Sequence, residues 1–377
     1  MKFTFAFFNK HKRQREKILL KQSGNYLLSI IICTIITIRY NTIVFATNLV
    51  DNVDNNIIKE AILSNNLLLR ATSYRYNKVE EKAQSETIDY SSTQEELAMD
   101  SVANSYEKNV LVFNNLDNYF CNVISETKNY QKLNVCGVEV VNYSSNRNID
   151  FAKILAMDDI FFEDDDEVTM YTTHTSESYS NCPEYSAPAR TLDGRYNMLS
   201  IASCFARNLN IKNINTVCSL NPHDYGEYNS AYTNSRITLA SIIEENPNVK
   251  VAIDVHRDAI EELSFAPKLD IMGYNVACVM LVMGIGYEDE PNIYYERNLK
   301  LAFEIQMLAN KIYPGLFRPM IIRDSVYNQD LMANSFLIEV GATGNTIEEA
   351  KLSTRCLSNL LNIIYNHWND FVLCDII

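Results

Sequence analysis

From residue 167 onward, short continuous apolar runs alternate with longer amphipathic ones. This alternation constrains the fold more than any other feature of the chain. Residues 249–255 are apolar apart from Lys250 and Asp254, residues 276–283 are apolar and β-branched, and residues 336–340 read Phe-Leu-Ile-Glu-Val. Runs of this kind suit strands covered on both faces, as in parallel sheets; a half-exposed strand would alternate polar and apolar residues. Further strands are expected at 168–173, 214–219 and 318–323. Between the strands, residues 197–209, 231–245, 291–313 and 346–362 carry helical spacing. Asn246-Pro247 stops the second helix and Pro314-Gly315 the third, while Glu348 and Glu349 sit in the first turn of the last. The expected class is α/β, a mostly parallel sheet with helices on both faces.

Upstream of this pattern the chain changes character. Residues 1–24 form a basic segment, with Lys2, Lys10, Lys12, Arg13, Arg15, Lys17 and Lys21 against the single acid Glu16. Residues 25–46 follow as an apolar membrane anchor or signal segment. A basic flank predicts that the N-terminal end stays in the cytoplasm and that the rest is exported. Counted through Ala46, the segment is long enough to span a bilayer once, with Arg39 snorkelling at the outer interface. Cleavage after Ala46 is the alternative, and it exports the same residues. The expected location is therefore the cell membrane, with the folded part extracytoplasmic. Residues 47–105 are rich in Asn, Ser, Glu and Gln and read as a polar linker or stalk. Residues 106–166 form a small N-terminal region, either a subdomain or an early part of the main fold, and residues 167–377 form the main domain.

Charge and cysteine usage exclude several classes. The formal net charge of −14 argues against a nucleic-acid binder, which needs a basic face. None of the nine cysteines forms a C-x-x-C pair, so neither a cysteine zinc knuckle nor a thioredoxin-like motif is expected. The odd cysteine count also fits a disulfide framework poorly. No G-x-S-x-G elbow is present for a serine acyl hydrolase.

Of the five histidines, His11 lies in the basic segment and His367 in the tail; His174, His223 and His256 fall in the α/β region. His174 follows the expected strand 168–173, His256 follows 249–255, and Glu339 lies near the end of 336–340. Ligands of open α/β sheets bind beyond the carboxyl ends of strands, so these three can converge although far apart in sequence. Two imidazoles and a carboxylate with an open fourth position describe a catalytic zinc site. Its activated water, with a carboxylate to take the proton, suits an amide substrate. Asp254 and Asp258 flank His256, and a metal-ligating imidazole usually gives its second N–H to a carboxylate or carbonyl. Glu339, in an apolar strand, needs a partner of its own.

Five segments occur in an order that is similar to one family. They are Tyr171-Thr-Thr-His-Thr-Ser-Glu-Ser-Tyr179; His223-Asp-Tyr with Tyr232-Thr-Asn-Ser-Arg236; Ile253-Asp-Val-His-Arg-Asp-Ala259; Tyr313-Pro-Gly-Leu-Phe-Arg-Pro319; and Tyr327-Asn-Gln-Asp330 with Leu337-Ile-Glu-Val-Gly341 and Asn345-Thr-Ile-Glu-Glu-Ala350. Across residues 167 to about 365 the chain resembles the stage II sporulation protein P family, the engulfment amidases of endospore-forming bacteria. The resemblance implies an N-acetylmuramoyl-L-alanine amidase acting on peptidoglycan stem peptides, with endopeptidase action on cross-links, during forespore engulfment. It implies Zn2+, a phosphorylase/hydrolase-like zinc amidase fold, and a partner lytic transglycosylase resembling stage II sporulation protein D. His174 matches the second histidine of the family's H-T-H-T segment, and Thr172 stands where the first often occurs. His256 matches the histidine of D-V-H-R-D, and Glu339 the catalytic glutamate of L-x-E-V-G. Related zinc amidases place a glutamate ligand between the first strand and helix; Glu177 is the choice here, with Glu184 and His223 as alternatives. Arg257, Asp258, His223 and Asn328 are the expected substrate contacts, together with Tyr327 and Gln329; Arg257 and Asp258 have a second possible role in orienting His256. Arg236 is expected to anchor its helix through an ion pair. The competing reading is an inactive amidase-fold protein that binds wall or scaffolds a complex, and Thr172 is its only hint.

Overall fold

The computed structural model describes residues 93–107 and 121–371, apart from 161, 164, 184–188, 261 and 288. The basic and apolar N-terminal segments, residues 47–92 of the expected stalk, His11 and Glu184 lie outside the described residues, as does the side chain of His367.

In chain order the elements are α1 (Gln94–Glu107), β1 (Cys121–Glu126), β2 (Gln131–Val135), β3 (Val138–Asn142), α2 (Phe151–Leu155), β4 (Glu167–Tyr171), α3 (Met198–Ile211), β5 (Asn215–Cys218), α4 (Ala231–Glu245), β6 (Val249–Asp258), β7 (Lys268–Ile271), β8 (Tyr274–Ala277), β9 (Val279–Gly284), α5 (Tyr295–Ile312), β10 (Met320–Arg323), β11 (Ser335–Ala342) and α6 (Ile347–Phe371). Among the described residues one sheet has nine strands in the order β1-β2-β3-β10-β9-β11-β6-β4-β5, and β7 and β8 form a separate hairpin. From β3 across to β5 neighbouring strands are parallel, except for β11 against β9. The α/β expectation therefore holds, with one reversal inside the sheet. The apolar run 276–283 is not one strand. It divides at Cys278, whose N–H donates to Pro267 O, so its first part pairs with β7 and its second enters the large sheet.

On the N-terminal side one of the two open alternatives is met and one boundary moves. β1, β2 and β3 are a meander whose last strand pairs with β10, so residues 121–142 extend the main sheet. The expected stalk stops short of residue 94. Thr93 and Glu96 cap α1 reciprocally, each backbone N–H donating to the other's side chain (3.1 and 3.2 Å). Met99 and Ala103 are buried in the main core, and Asp100 pairs with Arg355 of α6. Composition reads this stretch as polar because only one narrow face of the helix is apolar.

The core explains why the chemistry lies where it does. Strand side chains alternate between faces with a period of two. Val251, Ile253 and Val255 of β6, with Phe336, Ile338 and Val340 of β11, enter the main core beside residues of α3, α5 and α6. On the opposite face, Ala252 packs with Tyr171 and with Leu239 of α4, and Leu337 with Met280 and Val282. Asp254, His256 and Glu339 share the parity of Ala252 and Leu337. They therefore stand on the thinly covered face, toward the strands' carboxyl ends. The helices beneath are locally well specified: Asn197 Oδ1 accepts from Leu199 N–H to start α3, and Thr346 and Glu349 form a second reciprocal cap on α6.

Candidate active site

β4, β6 and β11 are adjacent and parallel, so their carboxyl ends lie side by side. In the β11/β6 register Glu339 is opposite His256, and in the β4/β6 register Tyr171 is opposite Asp254. The turn after β4 brings His174 over this edge, with its ring centroid 5.3 Å from that of His256 and the planes nearly perpendicular at 87°. Glu177 Oε2 lies 3.7 Å from His256 Nδ1 and accepts from the Arg257 backbone N–H at 3.2 Å. Asp254 Oδ1 lies 3.0 Å from His256 Nε2, an ion-pairing distance, but off the hydrogen-bonding direction. Asp254 is itself fixed by Thr173, whose N–H and Oγ1 donate to it at 2.9 and 2.6 Å. Thr173 Oγ1 is 2.8 Å from Ser235 Oγ, which accepts from Asn328 Nδ2 at 2.9 Å. A buried polar chain thus runs from the 328 loop to the His256 ring.

Burial and charge push these groups in opposite directions. Burial disfavours a charged His256, but Asp254, Glu177 and Glu339 outweigh it and push its pKa up to about 10. Burial and the repulsion of His256 push His174 down to about 3. Burial pushes Glu339 up to about 8, with the charges of Glu177 and Asp258 adding to it and His256 opposing. Burial likewise raises Glu177. Neighbouring titratable groups driven apart in this way are characteristic of sites that move protons or bind cations.

Three buried atoms here lack any hydrogen-bond partner: His174 Nδ1, His256 Nε2 and Glu339 Oε2. Buried polar atoms are usually satisfied, so three orphans along one edge of the sheet call for a ligand. Among the described residues no three His, Cys, Asp or Glu side chains are arranged to hold a metal ion as they stand. His256 lies instead between Asp254 and Glu177, as the nearest cation those carboxylates have. In kind, the donors fit zinc: two imidazoles with a carboxylate beside them, orphaned buried atoms, and Asp254 behind one ring.

Compared with known families, residues 48–362 match stage II sporulation protein P. The chain belongs to that family. Stage II sporulation protein P of Bacillus subtilis (strain 168) is 26% identical over 211 residues, 52% of this chain and 51% of the relative. The chain thus spans about half the length of the curated relative it matches. Among solved structures, N-acetylmuramoyl-L-alanine amidase AmiC2 of Nostoc punctiforme aligns at 12% identity and a TM-score of 0.33, over 53% of this chain and 97% of that one. The CwlD amidase from Clostridioides difficile, in complex with the GerS lipoprotein, aligns at 16% identity and a TM-score of 0.33, over 56% of this chain and 100% of that one.

In this member of the stage II sporulation protein P family, four residues singled out in the sequence come together: His174, Glu177, His256 and Glu339. Others take supporting places. His223 is buried, with Nδ1 2.7 Å from Thr172 O and Nε2 2.8 Å from Thr238 Oγ1, so both ring nitrogens brace the β4 loop against α4. In this arrangement both nitrogens are already engaged within the fold. Arg257 turns inward, donating to Thr343 Oγ1 and Ala189 O. Asp258 pairs with Arg318 at 2.6 Å, so of the two flanking aspartates it is Asp254 that lies beside His256. Asn328 is buried behind Ser235, and both it and Tyr327 adopt positive φ (58° and 50°). Thr172 is buried, with its hydroxyl 3.0 Å from Thr175 Oγ1. Arg236 makes the expected ion pair, bidentate to Asp330 at 2.7 and 2.8 Å.

Sequence reasoning missed Tyr228 and Arg190. The exposed Tyr228 ring stacks on His174 (4.3 Å, 14°), and its hydroxyl lies 3.2 Å from His174 Nε2. The Arg190 guanidinium lies 4.0 Å from the centre of the Tyr228 ring and is tethered by Asp224 at 3.3 Å. No local spacing links residues 174, 190 and 228; only the quoted His223-Asp-Tyr segment pointed to the neighbourhood.

Gly341 was legible as part of Leu337-Ile-Glu-Val-Gly341, and the structure supplies its reason. The β11/β6 register shifts between Glu339 and Ala342, Gly341 has φ +75°, and a Cβ there would come within 3.1 Å of Ala277 Cβ and Asn345 Oδ1. Gly341→Ala is expected to cost about 1–3 kcal/mol through that strain, read as a lower urea midpoint at unchanged m-value.

Proposed function

We propose that this chain is a zinc-dependent peptidoglycan hydrolase of sporulation that cleaves the amide between N-acetylmuramic acid and the stem peptide. The supporting observation is the largely buried cluster of His174, Glu177, His256 and Glu339 at one edge of the sheet, three of its atoms without a hydrogen-bond partner, in a chain of a sporulation family. His174, Glu177 and His256 would hold the zinc. When bound, zinc supplies a Lewis acid for the scissile carbonyl and a water acidified to a pKa of about 7. Glu339 takes the water's proton and returns it to the leaving nitrogen; its carboxyl, raised to about 8 by burial, can both accept and donate near neutral pH. Asp254 holds the Nε2 side of His256 and keeps Nδ1 turned toward Glu177.

The same reading extends to peptide cross-links as second substrates and to a stage II sporulation protein D-like lytic transglycosylase as partner. It places the catalytic domain outside the cytoplasm, tethered through residues 25–46. Among the described residues no helix is long and apolar enough to cross a membrane, and the tether is assigned to a segment outside them. Full-length protein incubated with purified sacculi is expected to release stem peptides, to stop when a chelator removes the metal, and to resume on zinc addition. Release that persists after complete metal removal sinks the zinc assignment. Sacculus binding with no release in zinc favours the scaffold reading.

A further inference from the structure

The segment Tyr232-Thr-Asn-Ser-Arg236 opens α4, and most of it has a structural role: Asn234 donates to His223 O, Ser235 links Thr173 to Asn328, and Arg236 pairs with Asp330. Tyr232 is different. Its ring lies edge-on to His174 at 5.5 Å and nearly parallel to His256 at 6.5 Å, with Tyr327 at 5.8 Å on another side. Burial holds the hydroxyl's pKa well above the usual phenol range, and the charges of Asp254, Glu339 and Glu177 add to it. The backbone carbonyl of Tyr232 accepts from Ser235 and Asn328, yet among the described residues the hydroxyl makes no hydrogen bond.

Walling the two imidazoles needs only the ring, and a phenylalanine would serve. The hydroxyl needs a separate account: it stands among the charged groups of the cluster, is bound to none of them among the described residues, and is open to a ligand. The polar groups it faces are carboxylates and imidazoles that the proposed chemistry already uses. The hydrolase reading, on which this inference rests, brings one further acceptor to the centre of the cluster: the carbonyl oxygen of the scissile amide.

We propose that Tyr232 is a catalytic residue whose hydroxyl donates a hydrogen bond to that carbonyl oxygen. The bond strengthens as water adds. The water oxygen bonds to carbon, the carbonyl π pair moves onto oxygen, and Glu339 takes the water's proton. The carbonyl then re-forms, the C–N bond breaks, and the proton passes to nitrogen, giving a carboxylic acid and an amine. Tyr232 keeps its proton throughout and acts only on the developing negative charge.

In the full chain Tyr232→Phe keeps the ring and deletes the hydroxyl. The expected loss in kcat for stem-peptide release is about a hundredfold, the cost of removing one oxyanion donor, with KM changed by less than about threefold and with unaltered zinc content and circular dichroism. A second measurement does not need turnover. By calorimetry, affinity for a phosphinate analogue of the scissile amide falls by a similar factor. Affinity for the intact stem peptide, measured in a Glu339→Gln background, changes by less than about threefold, as for a contact made chiefly in the transition state. A kcat within about threefold of wild type, or equal weakening of analogue and peptide, overturns the assignment. If wild type releases peptide and Tyr232→Phe does so equally well, only the role of Tyr232 fails. If zinc-loaded wild type releases none, the hydrolase reading fails and this inference with it.

Discussion

Glu339→Gln is expected to lower stem-peptide release by about three orders of magnitude, within the range of a lost general base, while leaving the fold at least as stable as wild type. The second half of this expectation follows from the same burial that suits the residue to catalysis. Glu339 Oε2 has no hydrogen-bond partner, and burial raises the carboxyl from 4.5 to about 8. Below pH 4.5 the folded and unfolded chains both hold this proton. Between about 4.5 and 8 the unfolded chain loses it and the folded chain keeps it, so wild-type stability falls as pH rises through that window. Glutamine carries no such proton. The variant should therefore gain on wild type across this range, by on the order of 2 kcal/mol at pH 8 once coupling to His256 is discounted. Urea titrations at pH 5 and pH 8 with chelator present measure this. A variant destabilised at both pH values would show that Glu339 is a structural partner of His256.

Asp254 is the residue whose loss should damage the protein most. It is buried and serves Thr173 N–H, Thr173 Oγ1 and His256 together. Asp254→Ala leaves the Thr173 N–H without its acceptor and takes from His256 its nearer carboxylate, and is expected to cost about 3–5 kcal/mol, as when one member of a buried ion pair is deleted. Asp254→Asn keeps the shape and removes the charge. It should weaken zinc binding by about 10–100-fold, the usual effect of losing a carboxylate behind a ligand histidine. It should also change the pH profile. In wild type the folded chain holds the His256 proton up to about 10 against 6.5 unfolded, so this stabilisation is complete below pH 6.5 and disappears as pH rises through about 10. In Asp254→Asn the decline should move toward neutral pH. Zinc titration and urea midpoints between pH 6 and 10 test both effects, and unchanged zinc affinity would remove Asp254 from its place behind His256.

Much of the fold was readable because its signals are local. α4 spans the expected residues 231–245, and β4, β6 and β11 lie on their apolar runs. The missed α1 had a signal too, the reciprocal Thr93/Glu96 cap, which a composition reading of the stalk passes over. The division of residues 276–283 was not readable, because Cys278 marks a switch between pairing partners while every residue around it stays apolar.

The sequence by itself determined the class, the family likeness, and the placing of His174, His256 and Glu339 at strand ends; these depend on periodicity and on motifs within a few residues. Only the tertiary structure decided which groups meet. It set Glu339 beside His256 through the β11/β6 register, put Asp254 and not Asp258 behind that ring, spent both nitrogens of His223 on bracing, and brought Tyr228, Tyr232 and Arg190 around His174. The physical reason is the range of the information. A side chain's face follows from its own strand's period of two, but its neighbour follows from the register of strands some eighty residues apart, which is selected by the packing of the whole sheet.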